Sequence, residues 1–340
     1  MEEKWINLSN KFERWRSKYI NRENYMEGTV FHYTNASALE NIFRNKTLEV
    51  TKSDFLNDKT EYMYAIKLVN KVFEKKKYKY LDKNIIIRIN KVFKSYLARS
   101  FIFSTSKNSD SVNLWSNYSE HEGYNIGFNL NEIFNRNRDM KIYVTGNKKI
   151  KDGSIEKYFV PISDGHKSIE MYPGEVIYDA KIQENKIAGI LNFLEHISEA
   201  YHSITNKNKN MGQDRNRLEK SYNDYFGSAI RILINQIKLF KNPVFTQDEE
   251  YRIIFDVNSK LDVIKYRQFK GVFFPYVEVV FDIKKLPINS ITIGPKNNLD
   301  IAAKGLSQFL QSQGYRVTLK SEYKDKDKIL IRKSGVPFRY

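Results

Sequence analysis

The chain has 340 residues, of which 41% are hydrophobic and 14% aromatic, a composition typical of a folded protein rather than a disordered one. It contains no cysteine, which excludes disulfides, zinc sites built from thiolates and thiol nucleophiles. Its formal net charge is +17, and a surplus of this size attracts polyanions such as nucleic acid.

The first hundred residues predict helices with short strands between them. Aromatic and aliphatic residues recur at three- and four-residue steps from Trp5 to Tyr19, which is typical of an amphipathic helix. In chain order we predict a helix over 5–26, a strand over 30–33, a helix over 36–43, a strand over 48–51 and helices over 62–77 and 82–98.

The remainder of the chain is richer in predicted strands, since β-branched and aromatic residues are concentrated between polar turns. Predicted strands cover 100–105, 124–130, 140–145, 175–182, 251–257, 276–281, 290–293, 315–319 and 329–332. Predicted helices cover 115–118, 185–203, 218–240 and 299–313. The polar residues 205–210 predict a mobile loop, and the sequence leaves open whether the stretch 205–217 closes over a substrate.

This order of elements favours the α+β class. Strands joined by short returns, with helices inserted in blocks, do not form a regular doubly wound sheet. No linker composition divides the chain, so we predict a single domain over 1–340 with helical insertions at about 60–98 and 185–240. No apolar run is long enough to span a membrane and no signal-peptide pattern begins the chain, so we expect a cytoplasmic protein without a membrane partner.

Common nucleotide and metal motifs are missing. The sequence has neither GxGxxG nor GxxxxGK[ST], which argues against Rossmann and P-loop enzymes. Its five histidines are scattered and form no HExxH, so we expect no metal centre. Asp179 and Lys181 form a D-x-K pattern at the end of a predicted strand, and this leaves a metal-dependent nuclease open as an alternative.

A histidine near the N-terminus is the first candidate site residue. His32 lies at the end of the predicted strand 30–33, immediately before a helix, and this placement directs its imidazole into a strand-to-helix crevice. Taken alone it resembles an ordinary strand-end histidine. Trp115 and Tyr118 offer an aromatic platform for the same crevice, although each alone resembles a core aromatic.

A cluster of carboxylates precedes the apolar strand 251–257. Strand alternation predicts that Asp248 and Glu250 share a face with Arg252 and that Glu249 points away. Two carboxylates on one face repel each other unless a cation or a ligand hydroxyl lies between them. The group is therefore either functional or a structural ion pair with Arg252.

Four groups of residues carry a family resemblance, in chain order and over nearly the whole length. They are 31–34 with 48–58; 103–104 with 114–118, 123 and 126–128; 250–254; and 291–295 with 334–339. Together they resemble DUF2971, a bacterial family of uncharacterised function that is grouped with the ADP-ribosyltransferase superfold. The resemblance implies a split β-sheet core that binds NAD, as substrate, without a Rossmann fingerprint.

The resemblance also implies roles for individual residues. Glu250 would be the catalytic carboxylate and would stabilise the oxocarbenium-like charge that develops on ribose. His32 would hydrogen-bond a ribose hydroxyl, and Tyr118 or Trp115 would stack on nicotinamide. Tyr33, Thr34 and Arg252 would also bind NAD, with Arg252 or a lysine on the pyrophosphate. Asp248 and Asn57 would be accessory residues. Asp248 lies where the family commonly has glutamate.

We therefore expect an enzyme that transfers ADP-ribose from NAD to a macromolecular acceptor, protein or nucleic acid, and the basic surplus favours nucleic acid. By resemblance, its role would be that of a toxin or phage-defence effector, with an immunity or antitoxin partner. One alternative is a non-catalytic nucleic-acid-binding module of the same fold. The lysines interleaved with aromatics in 71–96 are either a site for a single strand, at Tyr78, Tyr80, Phe93 and Tyr96, or a solvated helix face.

Overall fold

The computed structural model describes residues 9–17, 26–56, 61–119, 121–134, 141–162, 169–207, 212–269, 271–281, 286–297, 299–320 and 327–337. The chain divides into two compact units. The sheet unit comprises 25–57, 99–176 and 246–340, and the helical unit comprises 1–24, 58–98 and 177–245. The predicted α+β class is confirmed, since a large mixed sheet and several helices are present.

The helices differ from the predicted ones mainly at their ends. In chain order they are α1 (9–17), α2 (Ala36–Asn45), α3 (Glu61–Lys75), α4 (Lys83–Leu97), α5 (Val112–Ser119), α6 (Leu130–Phe134), α7 (Ala180–Lys207), α8 (Gln213–Ile237) and α9 (Leu299–Ser312). None of the helices in the described part of the chain is long and apolar enough to cross a membrane.

The strands include three that the sequence did not predict: β6, β7 and β9. In chain order they are β1 (Thr29–Thr34), β2 (Thr47–Lys52), β3 (Ser100–Ser106), β4 (Tyr124–Asn129), β5 (Ile142–Lys149), β6 (Ile155–Pro161), β7 (Ile169–Glu175), β8 (Glu250–Val257), β9 (Lys265–Phe269), β10 (Val272–Phe281), β11 (Ile288–Ile293), β12 (Arg316–Thr318) and β13 (Lys328–Lys333).

The helical unit is built from α1, α3, α4, α7 and α8 around one apolar core. Its core side chains recur at helical spacing, as in Ile187, Ile190, Leu191 and Leu194 of α7, all fully buried. The helices α7 and α8 extend further towards each other than predicted. Residues 205–207 are helical, so the loop predicted over 205–210 is wrong there, and 208–211 lie outside the described residues. Residues 213–217 are also helical.

The predicted strand over 175–182 is also wrong in its extent. The strand β7 ends at Glu175, and α7 begins at Ala180, directly after Asp179. The Asp179 side chain accepts a hydrogen bond from the backbone N–H of Ile182 (2.8 Å), and its carbonyl oxygen accepts one from the N–H of Gln183 (3.0 Å). An aspartate that pairs with the first free N–H groups of a helix is a favoured N-cap, which explains the helix start.

Thirteen strands of the described residues form one mixed sheet. The order along it is β12-β13-β11-β4-β1-β3-β2-β10-β5-β6; β8 joins β3, β7 joins β8, and β9 joins β10. Pairing is antiparallel except between β11 and β13 and between β12 and β13. On one face, alternate residues such as Phe101, Phe103 and Ile253 meet α2 and α9 in an apolar core.

The sheet forks at β3. One edge of β3 pairs with β8 along its whole length. The other edge is shared, because residues 101–102 pair with β2 whereas Ser106 pairs with Phe31 of β1. We call the stretch 102–106 of β3, where β1 and β2 part, the fork. Its position matters because main-chain groups there need partners other than a third strand.

Candidate functional site

His32 lies at the fork and forms a hydrogen bond with the edge of β3 between the parts that β1 and β2 cover. Its Nδ1 is 3.1 Å from the carbonyl oxygen of Ser104. A carbonyl oxygen only accepts, so Nδ1 carries the proton and Nε2 is left as an acceptor. Among the residues that the structure describes, none forms a hydrogen bond with Nε2. The ring packs at 4.8 Å against Phe103, which fixes its orientation.

The surroundings keep this imidazole neutral. Burial lowers the pKa of His32 below its ordinary value of 6.5, and the charge of Arg267 lowers it further. The hydrogen bond to Ser104 acts in the opposite direction but does not reverse the shift. At pH 7 the ring therefore offers a fixed acceptor to a hydroxyl or amide donor.

Arg267 lies on the β2 side of the fork, and sequence reasoning missed it. It belongs to β9, and its guanidinium donates to Glu49 Oε2 (2.8 Å) and Thr51 Oγ1 (2.7 Å) of β2. It also lies over the ring of Tyr276, 5.5 Å from the centroid. Thr51 is the residue that pairs with β3 at the edge of the fork. In the sequence, Arg267 lies in a short run of alternating charged and aromatic residues. This pattern is typical of any exposed edge strand and does not indicate a binding residue.

Glu250 and Arg252 form a buried ion pair at the start of β8. Arg252 Nε donates to Glu250 Oε1 (2.8 Å) and Arg252 Nη2 to Glu250 Oε2 (3.0 Å). The two residues are only 6% and 1% exposed. This bidentate geometry holds both carboxylate oxygens in place and favours the ionised carboxylate. It also keeps Arg252 away from the exposed position expected of a residue that contacts pyrophosphate.

The strand register relates Glu250 to His32. Phe31 pairs with Ser106, and Ser106 pairs with Glu250, so the three residues lie abreast on β1, β3 and β8. The backbone of His32 is therefore about two strand spacings, roughly 10 Å, from that of Glu250. Side chains alternate along a strand, so Glu250 leaves the sheet on the face of Phe31, whereas His32 starts from the opposite face.

The two carboxylates before Glu250 do not follow strand alternation. Asp248 ends a 3-10 helix (Pro243–Asp248), and Glu249 has a left-handed backbone with φ of 44°. The prediction that Asp248 shares a strand face with Glu250 is therefore wrong. Asp248 Oδ1 instead accepts from Asn113 Nδ2 (3.3 Å), and Glu249 Oε1 accepts from Asn108 Nδ2 (2.8 Å).

Tyr33, Thr34 and Trp115 are structural residues in this fold, and their predicted contact with NAD is not supported by their placement. Tyr33 is buried, and its hydroxyl donates to Asn108 O (2.9 Å) and accepts from Ser111 N–H (2.8 Å). Burial raises the pKa of this hydroxyl well above its usual value. Thr34 is buried, and Trp115 is 0% exposed with its ring edge-on to Tyr33. A stacking platform needs an open face, which Trp115 lacks.

Tyr118 is the aromatic residue that α5 exposes. It is 45% exposed, on the same helix as the buried Trp115. The difference follows from helix geometry, since residues three apart on α5 point in directions that only partly overlap. Of the two residues predicted to stack on nicotinamide, Tyr118 is therefore the exposed one. Asn57, predicted as accessory, lies outside the described residues.

Asp110 organises this region and was also missed. Its Oδ1 accepts from the indole N–H of Trp115 (2.7 Å) and from the hydroxyl of Ser334 (2.6 Å). Its Oδ2 accepts from the backbone N–H of Gly335 (2.6 Å). One carboxylate thus ties the C-terminal residues to α5 and, through Trp115, to Tyr33. Partners more than 200 residues away in sequence give no local signal.

The pattern that suggested a nuclease has another explanation. Asp179 caps α7, as described above, and is committed to backbone N–H groups. Within the described ranges, no group of three or more His, Asp or Glu side chains is placed to hold a metal ion.

Comparison with known proteins gives one match. The family model described as "Protein of unknown function (DUF2971)" matches residues 114–253. That range contains Trp115, Tyr118, Glu250 and Arg252, and the match supports the resemblance to this family. It does not extend to His32. No curated protein and no solved structure matches the chain.

Proposed function

We propose that the sheet unit binds NAD at the fork and transfers ADP-ribose to a macromolecular acceptor. The observation that carries the proposal is the acceptor nitrogen Nε2 of His32, which is held by the Ser104 contact and has no partner among the described residues. A neutral imidazole fixed in this way suits a ribose hydroxyl. The ribose would occupy the gap between β1 and β2, with His32 starting from one face of the sheet and Glu250 from the other.

Glu250 is the proposed catalytic carboxylate. When the bond between nicotinamide and ribose breaks, its electron pair leaves with nicotinamide and positive charge develops on the ribose. A carboxylate fixed beforehand stabilises that charge more than it stabilises the neutral ground state. The Arg252 contacts supply this fixed orientation. A nucleophilic oxygen or nitrogen of the acceptor then bonds to the ribose carbon and loses its proton to water.

Two further residues complete the proposed NAD site. The exposed ring of Tyr118 is the aromatic face for the cationic nicotinamide, an interaction of about 0.5–2 kcal/mol. Arg267 replaces Arg252 as the proposed partner of the pyrophosphate, because its contacts with Glu49 and Thr51 place it beside the fork. The acceptor is a protein or a nucleic acid, and the net charge of +17 favours nucleic acid. A toxin or phage-defence role with an antitoxin partner follows from the family resemblance alone.

The reaction can be tested with NAD labelled in its adenylate half, incubated with single-stranded RNA, DNA or cell lysate. We expect labelled acceptor and free nicotinamide with the wild-type chain. Glu250→Gln should abolish both products, whereas Glu249→Gln, which changes the neighbouring exposed carboxylate, should retain them. Wild type that releases no nicotinamide and labels no acceptor would end the proposal.

A second variant separates chemistry from folding. Glu250→Gln removes the carboxylate charge that pairs with the buried guanidinium of Arg252, and that change destabilises the fold. The double variant Glu250→Gln/Arg252→Gln removes both charges and keeps polar side chains at both positions. If the double variant is folded and active, Glu250 is not the catalytic residue.

A further inference from the structure

The connection between α3 and α4 is strongly basic, and its backbone is hydrogen-bonded to α7. It contains Lys76, Lys77 and Lys79, and it has no acidic residue before Asp82. The backbone N–H groups of Lys79 and Tyr80 donate to the carboxylate of Glu195 on α7 (2.7 and 3.0 Å). Glu195 therefore anchors the backbone from which these side chains project.

Aromatic rings continue from this connection across α7 to α8. The ring of Tyr80 stacks on that of His202, with centroids 5.5 Å apart and planes 21° from parallel. His202 meets Tyr201 edge-on at 5.8 Å, and Tyr201 stacks on Tyr222 at 4.4 Å. His202 is exposed and the three tyrosines are partly buried. The result is a row of four rings in which His202 is the exposed member.

The lysines beside this row form no ion pair with a carboxylate of the described residues. Lys76, Lys77 and Lys79 are exposed, and none forms an ion pair within the described residues. Lys76 Nζ lies 5.3 Å from the ring of Tyr78, and Lys79 Nζ lies 5.1 Å from that of Tyr80. By contrast, Lys71 and Lys75 on α3 both pair with Glu184 (2.7 Å each). Lysines without an ion pair and aromatic rings thus lie together at this connection.

We propose that Lys76, Lys77, Tyr78, Lys79, Tyr80 and His202 form a binding surface for single-stranded nucleic acid, here called the lysine–tyrosine surface. Ammonium groups follow the phosphates, and unpaired bases stack on the rings. A duplex keeps its bases stacked inside, so it gains only the phosphate contacts. Phe93 is buried, and Tyr96 is covered by the buried Lys238, so these two aromatics take no part. The lysines over Tyr78 and Tyr80 are exposed instead.

The test measures the affinity of the full chain for a fluorescent single-stranded oligonucleotide, DNA or RNA. Fluorescence anisotropy reports binding at a series of salt concentrations, without NAD. Because NAD is absent, a failed transferase reaction leaves this inference standing. Changing Lys76, Lys77 and Lys79 together to Gln removes about three phosphate contacts. We expect affinity to fall on the order of 100-fold near 0.1 M salt, and the salt slope to decrease by about 2.

A matched control removes the same charge elsewhere. Lys148 and Lys149 at the end of β5 and Lys151 in the connection to β6 are exposed, and changing all three to Gln should alter affinity much less. Tyr80→Leu with His202→Leu should weaken single-strand binding by about tenfold and leave duplex binding unchanged. Equal losses in the two lysine triples would mean diffuse attraction to net charge. Equal losses would overturn the proposal. So would unchanged affinity after the change of Lys76, Lys77 and Lys79, or equal affinity of the wild-type chain for single strand and duplex.

Discussion

His32 donates its Nδ1–H to the carbonyl oxygen of Ser104 at the point where β1 and β2 part from β3. A side chain thus satisfies a main-chain group that a continuous strand would otherwise satisfy. The same bond fixes the ring tautomer and directs the other nitrogen away from β3. His32 therefore has both a structural role and a proposed role in binding.

The first prediction concerns pH and stability. The pKa of His32 is lower in the folded chain than the ordinary 6.5, so the unfolded chain takes up the proton first as pH falls. The stability that comes from the neutral ring is complete above about pH 6.5 and is lost as pH falls towards the folded pKa. We expect wild type to lose more free energy of unfolding than His32→Gln between about pH 7.5 and about pH 5, as measured by urea denaturation. Parallel losses would show that His32 does not contribute to this pH dependence.

The second prediction concerns the buried ion pair. Arg252→Met removes the buried guanidinium that pairs with the Glu250 carboxylate, and we expect a loss of about 3–5 kcal/mol in the free energy of unfolding. The exposed pair between Lys107 and Glu175, with side chains 38% and 51% exposed, provides the comparison. Lys107→Met should cost less than about 1 kcal/mol. Similar losses in the two variants would mean that Glu250 finds another neutralising partner.

The third prediction concerns Asp110. Asp110→Asn keeps the shape of the side chain but cannot accept at all three of its present contacts, with Trp115, Ser334 and Gly335. We expect a loss of about 1–3 kcal/mol and faster hydrogen exchange at the Gly335 amide. Exchange at amides of the β5–β6 pair serves as an internal control. An unchanged Gly335 amide would show that this contact does not hold the C-terminal residues.

Local patterns were enough to predict much of the secondary structure. The helices α2, α3, α4 and α9 follow from apolar periodicity, and β3 and β8 follow from dense apolar runs. By contrast, β7 contains Pro173 and Gly174, which weaken strand propensity, and it exists because β8 pairs with it along its whole length. That pairing is a long-range contact with no local signal.

The candidate site was predictable as a set of residue types but not as an arrangement. Trp115 and Tyr118 are both aromatic residues on one short helix, and only the contacts of Trp115 with Asp110 and Tyr33 decide that it is buried. Strand alternation predicts that Asp248 shares a face with Glu250, but the left-handed backbone of Glu249 interrupts the alternation between them. The fork itself depends on pairing between residues 75 apart, Phe31 and Ser106, which periodicity does not reveal.

The most direct test of NAD binding at the fork is titration calorimetry of NAD into three chains: wild type, His32→Phe and His196→Phe. Phenylalanine keeps a ring against Phe103 but removes both nitrogens of His32, whereas His196 is an exposed histidine of the helical unit. We expect wild type and His196→Phe to bind NAD equally and His32→Phe to bind roughly tenfold more weakly, because a ribose hydroxyl loses its acceptor. No NAD binding by wild type, or equal affinity in all three chains, would contradict NAD binding at the fork.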